Sequence, residues 1–293
     1  MLDWLIKNGT VVDGTGAPAR VADVGVRDGC IVAVGQVDGP ARQTLDATGL
    51  WITPGFVDIH THYDGQVTWD ECFTPSIYHG VTTLVMGNCG VGFAPKRPGH
   101  EDDLVKLMEG VEDIPGAALH EGIRWNWETF PQYMDALAAT PRSLDYLVQV
   151  PHDPLRMYVM GERAQAHEQA NADDIRAMQA LLREALQAGA AGFSTGRSDN
   201  HRTADGLDTP AANAELAELS GLAQAFQGEF NVRIEQVEIL RHALAVVRRG
   251  VRGGDRLEVG ACLRDRRDSS IPAPQGGRWS SGCGCWSSGR ACG

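Results

Sequence analysis

A short apolar run leaves a Pro54-Gly55 turn and ends in two histidines two residues apart: Phe56, Val57, Asp58, Ile59, His60, Thr61, His62. In an extended strand successive side chains alternate between faces, so His60 and His62 point the same way and can grip one divalent metal. The apolar residues before the pair read as a buried parallel strand with the histidines at its carboxyl end. Barrels and open α/β folds place their chemistry at that end. The competing reading is two polar residues on a solvated strand face. A second strand signal, residues 81–86, runs into Gly87-Asn88-Cys89-Gly90. A lone cysteine is most often a small buried hydrophobe. At the end of the next parallel strand, Cys89 reads better as a thiolate ligand.

These two segments fix the rhythm of the rest. Residues 1–53 read as a small β-domain of short strands around Leu5, Val11, Val24, Ile31 and Trp51, separated by turns such as Asp13-Gly14 and Asp28-Gly29. From Pro54 the pattern becomes strand, loop, helix. Buried strand signals at residues 56–59, 82–86, 146–150 and 191–194 alternate with helical ones, the mark of βαβ units and a parallel sheet over residues 54–227. That makes four βα units, where a closed barrel needs eight and about 250 residues. Residues 173–188 form the clearest helix, with Asn171 or Asp173 as cap and Gly189 as stop. Residues 211–226 read as another, with Leu216, Leu219, Leu222 and Ala223 turned inward. Residues 109–127, with paired carboxylates, Trp125 and Trp127, read as a long loop that is either a lid or an anchor for the next helix.

A net charge of −12 argues against nucleic acid and anionic membrane as partners. No apolar run reaches the length of a membrane span, and the N-terminus lacks a secretory pattern, so the expectation is a cytoplasmic protein. The charge is uneven: residues 241–293 carry ten Arg against four acids, with Cys262, Cys283, Cys285 and Cys292 among them. From Arg248 onward neither helical nor strand periodicity is present, and such a segment cannot offset its chain entropy, so it reads as disordered. The four cysteines suit a structural zinc poorly, because Cys283-Gly-Cys285 lacks the usual gap. A nucleic-acid tail would carry Lys and more interleaved aromatics. Three Lys against 23 Arg is the usage of GC-rich DNA, and a frame slip in such DNA accounts best for residues 228–293 as an atypical tail.

The run from Lys7 to Gly16, through Gly55-Phe56-Val57-Asp58-Ile59-His60-Thr61-His62-Tyr63-Asp64, to Asn88-Cys89-Gly90-Val91-Gly92-Phe93-Ala94-Pro95 resembles the amidohydrolase superfamily. Within it the chain is similar to the N-acyl-D-amino-acid deacylases over about residues 1–227. The resemblance implies an α/β fold: the N-terminal half of a TIM-type (β/α) barrel preceded by a small β-sandwich domain. It implies zinc, held tightly by Cys89 with downstream histidines and more weakly by His60 with His62. The substrate implied is a small N-acyl-D-amino acid, hydrolysed at its amide. His152, at the end of the third strand, matches a family Pro-His pattern, although Asp153-Pro154 departs from it. Ser194 and Thr195 match a family turn that lines the substrate pocket; the alternative is that they cap backbone groups. The family's two later histidines and its general acid/base aspartate find no match after residue 227, and His242 reads as a surface residue. The rival reading is therefore an inactive remnant, with weak zinc binding, no turnover and open sheet edges that self-associate.

Overall fold

The computed structural model describes residues 1–226 and 233–237. The readings made for His242 and for the cysteine-bearing tail lie outside the described residues. The described residues form two compact units, one over Met1–Phe56 and the other over those from Val57 to Val237.

The first unit is a five-stranded sheet: β1 (Leu2–Val11), β2 (Arg20–Arg27), β3 (Cys30–Gly35), β4 (Ala41–Asp46) and β5 (Trp51–Ile52). The order is β3-β2-β1-β4, with β5 also beside β1. The strand signals around Leu5 and Val11 belong to one strand, whose register against β2 shifts between Ile6 and Gly9. Asn8 sits at the shift with φ 63°, a left-handed geometry that asparagine tolerates and that suits a bulge. Val11, Ala22, Val24 and Val26 form the small core, with Ile6, Ile31 and Ile52 packed against it. β4 escapes sequence reading because its side chains are mostly polar and exposed; its parallel pairing with β1 is a backbone matter. The described residues of this unit thus make one sheet, not the two layers of the expected sandwich.

The second unit carries a curled parallel sheet in the order β10-β9-β8-β7-β6. Its strands are β6 (Phe56–Asp58), β7 (Val81–Met86), β8 (Asp145–Pro151), β9 (Gly192–Gly196) and β10 (Arg233–Val237). A fifth strand therefore follows the four read from sequence. It falls in the segment that the sequence reading set apart as atypical from residue 228. The reading of β6 as buried is also corrected. Among the described residues it is an edge strand beside β7, and Phe56 and, just past it, Ile59 are 58% and 61% exposed.

Seven helices are described: α1 (Glu101–Glu112), α2 (Gly116–Gly122), α3 (Phe130–Ala138), α4 (His152–Met160), α5 (Glu162–Gln165), α6 (Ala172–Gln187) and α7 (Leu216–Ala223). The segment read as a long loop at residues 109–127 is largely helical, formed by the end of α1 and by α2. Trp127 is buried and donates its ring N–H to the Phe93 carbonyl at 2.8 Å, which is the anchoring role. α6 buries Met178, Leu182, Ala185 and Leu186 on the stripe its periodicity predicts. Asn171 caps it in a reciprocal box with Asp174, satisfying N–H groups that a helix start leaves open. Asn171→Ala is expected to cost about 1 kcal/mol, read as a lower urea midpoint at unchanged slope. An unchanged midpoint would show the cap to be redundant. No helix among the described residues is long and apolar enough to cross a membrane.

Candidate metal centre

The carboxyl ends of β6, β7 and β9 and the last turn of α1 bring five donor side chains together. His60 and His62 follow β6, Cys89 follows β7, Glu112 ends α1, and His201 lies in the loop after β9. The ligand atoms of His60, His62 and Cys89 lie within 4.8 Å of one another. His60 Nε2 is 3.2 Å from Cys89 Sγ. Two ligands of one tetrahedral zinc stand about 3.5 Å apart, given Zn–S near 2.3 Å and Zn–N near 2.0 Å. The pair is thus within a few tenths of an ångström of a chelating geometry, and imidazole with thiolate is the donor chemistry zinc takes. The residues fit the metal.

The histidines are held by the residue between them. Thr61 donates its backbone N–H to the Val85 carbonyl at 3.0 Å and its hydroxyl to the same oxygen at 2.7 Å. Fully buried Asn88 donates its amide to the Thr61 and Val85 carbonyls at 2.9 and 3.0 Å, while its oxygen accepts from Gln149 at 2.7 Å. Asn88 therefore ties the His-Thr-His segment to β7 and β8, and the next residue is Cys89. Cys89 itself has φ 57°, a left-handed conformation that costs a non-glycine residue about 1–2 kcal/mol. The loop leaves little room for alternatives: a Cβ on Gly87 would overlap the Gln149 carbonyl, and one on Gly90 would overlap the Gly196 amide.

His62 is largely buried. Desolvation, then the nearby charges of His60 and His201, lowers its pKa to about 3. Glu112 moves the other way, to about 7, because burial opposes its charge more than the Cys89 hydrogen bond favours it. The contact of 3.2 Å between His62 Nε2 and Glu112 Oε1 therefore joins a neutral imidazole and a carboxyl and is not an ion pair.

The substrate-pocket candidates lie beneath these donors. Ser194 is buried; its hydroxyl donates to the Gly87 carbonyl and accepts from the Gly90 amide at 3.0 Å, bracing the Cys89 loop from both sides. His152 is fully buried between Thr195 Oγ1 and Glu218 Oε1, each at 2.9 Å. Thr195 is partly exposed. Glu218 is the surprise of α7. The sequence turned Leu216 inward, yet Leu216 is 50% exposed and Glu218 is 1% exposed. The helix begins at Leu216 rather than near residue 211, and its inward face is set by the cationic and imidazole partners waiting for Glu218. Two buried aspartates also escaped sequence reading, Asp64 and Asp153, each with one oxygen lacking a hydrogen-bond partner. Glu112 was visible only as one of a carboxylate pair in the 109–127 segment, and the sequence reading did not single out His201.

A parallel α/β sheet with a His-x-His pair and a cysteine converging at its carboxyl edge defines a metal-dependent hydrolase type of centre. The chain belongs to the amidohydrolase family, whose profile residues 43–248 match. It is similar to D-aminoacylase of Alcaligenes xylosoxydans xylosoxydans, 40% identical over 66% of this chain and 37% of that protein. N-acyl-D-aspartate deacylase of the same organism is 36% identical over 77% of this chain and 41% of that protein. A crystal structure of D-aminoacylase superposes with a TM-score of 0.61 at 38% identity, over 76% of this chain and 42% of that one. N-acyl-D-glutamate deacylase from Bordetella bronchiseptica, solved with zinc and a phosphonate mimic of the tetrahedral intermediate, gives 0.59 at 36% identity, over 76% and 42%. The chain spans about two fifths of the length of the relatives it matches.

Proposed function

We propose that the chain acts as a zinc-dependent amidohydrolase on N-acyl-D-amino acids, releasing a carboxylate and the free D-amino acid. The observation that carries this reading is the 3.2 Å approach of His60 Nε2 to Cys89 Sγ, with His62 in the same cluster. The named relatives support the substrate class. Zinc, when bound, polarises a carbonyl and makes water a competent nucleophile near neutral pH. The protein's own part is positioning. Thr61 and Asn88 fix the two imidazoles, Ser194 fixes the Cys89 loop, and Thr195, held by His152, is the pocket candidate that keeps exposure to a substrate.

The test is hydrolysis of N-acetyl-D-methionine and N-acetyl-D-glutamate by the zinc-loaded chain, with the L-isomers as controls. D-selective turnover is expected, falling more than about 100-fold in Cys89→Ala and His60→Ala, since even outer-shell changes at metal sites cost 10–100-fold. Turnover unaffected by either substitution, or none from protein shown to hold zinc, would overturn the reading.

A further inference from the structure

Beside the metal donors, a carboxylate, an imidazole and a hydroxyl are hydrogen-bonded in series. The parallel register sets Pro151 of β8 opposite Ser194 of β9, so the next residues, His152 and Thr195, stand side by side as the chain leaves β8 for α4. His152 Nδ1 lies 2.9 Å from Thr195 Oγ1, and Nε2 lies 2.9 Å from Glu218 Oε1. The Phe193 ring packs on the imidazole with centroids 5.2 Å apart, which holds its plane. We propose that His152 and Glu218 are positioning residues that turn the Thr195 hydroxyl hydrogen inward, so that Thr195 Oγ1 accepts a hydrogen bond from the amide N–H of the substrate. The proposal rests on the reading of the chain as an amidohydrolase of N-acyl amino acids.

The polarity of the series is set at its charged end. Arg156 donates to both oxygens of Glu218, and an ionised carboxylate only accepts, so His152 Nε2 carries the hydrogen between them. Near pH 8 a proton on both ring nitrogens would set two buried cations on one carboxylate that Arg156 already neutralises. Nδ1 is therefore the acceptor, and the Thr195 hydroxyl donates to it. With its one hydrogen committed, Oγ1 has only lone pairs to offer a ligand.

Thr195 is also the member of the series that retains surface. It is partly exposed, whereas His152, Arg156 and Glu218 are each 1% exposed or less. Its Cα lies 3.2 Å from where a Cβ on Gly90 would stand, and a Cβ on the next residue, Gly196, would overlap the Cys89 carbonyl. Thr195 thus stands against the turn that carries Cys89, at the carboxyl edge of the sheet. An acceptor-only hydroxyl there selects an amide, which brings N–H, over an ester, whose oxygen would meet it lone pair to lone pair.

Nitrogen-15 NMR of the histidine-labelled full chain near pH 8 reads the tautomer in the wild type, the ring being assigned by its Overhauser contact with Phe193. A hydrogen on Nε2 and none on Nδ1 is expected. Hydrolysis of N-acetyl-D-methionine by the zinc-loaded chain is then compared with that of its O-acetyl counterpart, in which oxygen replaces the amide N–H. Thr195→Val should lower the amide-to-ester ratio of kcat/KM by about 10-fold or more, and Thr195→Ser should restore it to within about threefold of wild type. A loss of general packing would lower both rates and leave the ratio in place. An unchanged ratio in Thr195→Val, or a hydrogen on Nδ1, would overturn the proposal while leaving the amidohydrolase reading standing. Hydrolysis of neither compound by zinc-loaded wild type would overturn that reading and this assignment with it.

Discussion

Glu218→Ala is expected to lower the unfolding free energy by about 3–5 kcal/mol, the cost of leaving a buried charge without its partner. Arg156 and Glu218 are each about 1% exposed. The guanidinium donates from Nε to both carboxylate oxygens at 3.0 and 3.3 Å, from Nη1 to the Pro210 carbonyl and from Nη2 to the Glu168 carbonyl, both at 2.6 Å. Burial alone would raise the pKa of Glu218, but the hydrogen bond from His152 and the charges of His152 and Arg156 outweigh it and hold the carboxyl below its usual range. The network joins α4 to α7, to the loop before α6 through Glu168 and to the loop between β9 and α7 through Pro210. Removing the carboxylate leaves Arg156 charged and dry, and frees His152, which Thr195 then holds alone. Thermal unfolding should fall on the order of 10 °C for a domain of this size. The double variant Arg156→Met, Glu218→Leu should recover much of the loss, because a well-packed apolar pair replaces the ions. A single-variant effect below about 1 kcal/mol would show that water reaches the pair and screens it.

The same network shows why part of the fold is legible in sequence and part is not. β7 and β8 carry short apolar runs, Leu84-Val85-Met86 and Tyr146-Leu147-Val148, that are buried or half-buried, and these announce them. α6 is announced by its stripe and by its Asn171 cap. β4 carries mostly polar, exposed side chains in extended backbone, and nothing local marks it. In α7, periodicity favours Leu216 and misplaces the buried face, because the preference of leucine for burial is small beside the demand of a buried Arg156 for a carboxylate. The metal centre divides in the same way. His60 and His62 sit at period two on one strand, and Cys89 ends the next; both are local facts. Glu112 and His201 come near Cys89 where the loop backbone at residues 202–204 packs onto α1 at Gly110, a tertiary contact with no signature in either segment.

Raising the pH from about 4 to about 7 is expected to destabilise the protein through Asp153, and Asp153→Asn should abolish that share of the loss. The carboxyl is fully buried at the start of α4. Desolvation, assisted by the negative charge of Glu218, raises its pKa from 3.8 to about 7, against the lowering effects of the Ala211 amide, Arg156 and the Thr209 hydroxyl. The Ala211 amide donates to one oxygen, and the other lacks a hydrogen-bond partner. Between these two pKa values the folded chain holds a proton that the unfolded chain has released. Stability therefore falls with rising pH across that window and is flat above it. At 1.36 kcal/mol per unit, a gap of about three units amounts to roughly 4 kcal/mol. Asparagine keeps an oxygen for the Ala211 amide and carries no charge to desolvate. Asp64, raised to about 7 by the same burial, contributes a parallel slope in both proteins and cancels in the comparison. Denaturant titrations of wild type and Asp153→Asn at pH 4 and pH 8 should show the variant gaining about 4 kcal/mol on the wild type between the two. A difference that does not change with pH would mean that Asp153 ionises freely, with solvent reaching the carboxyl inside the fold.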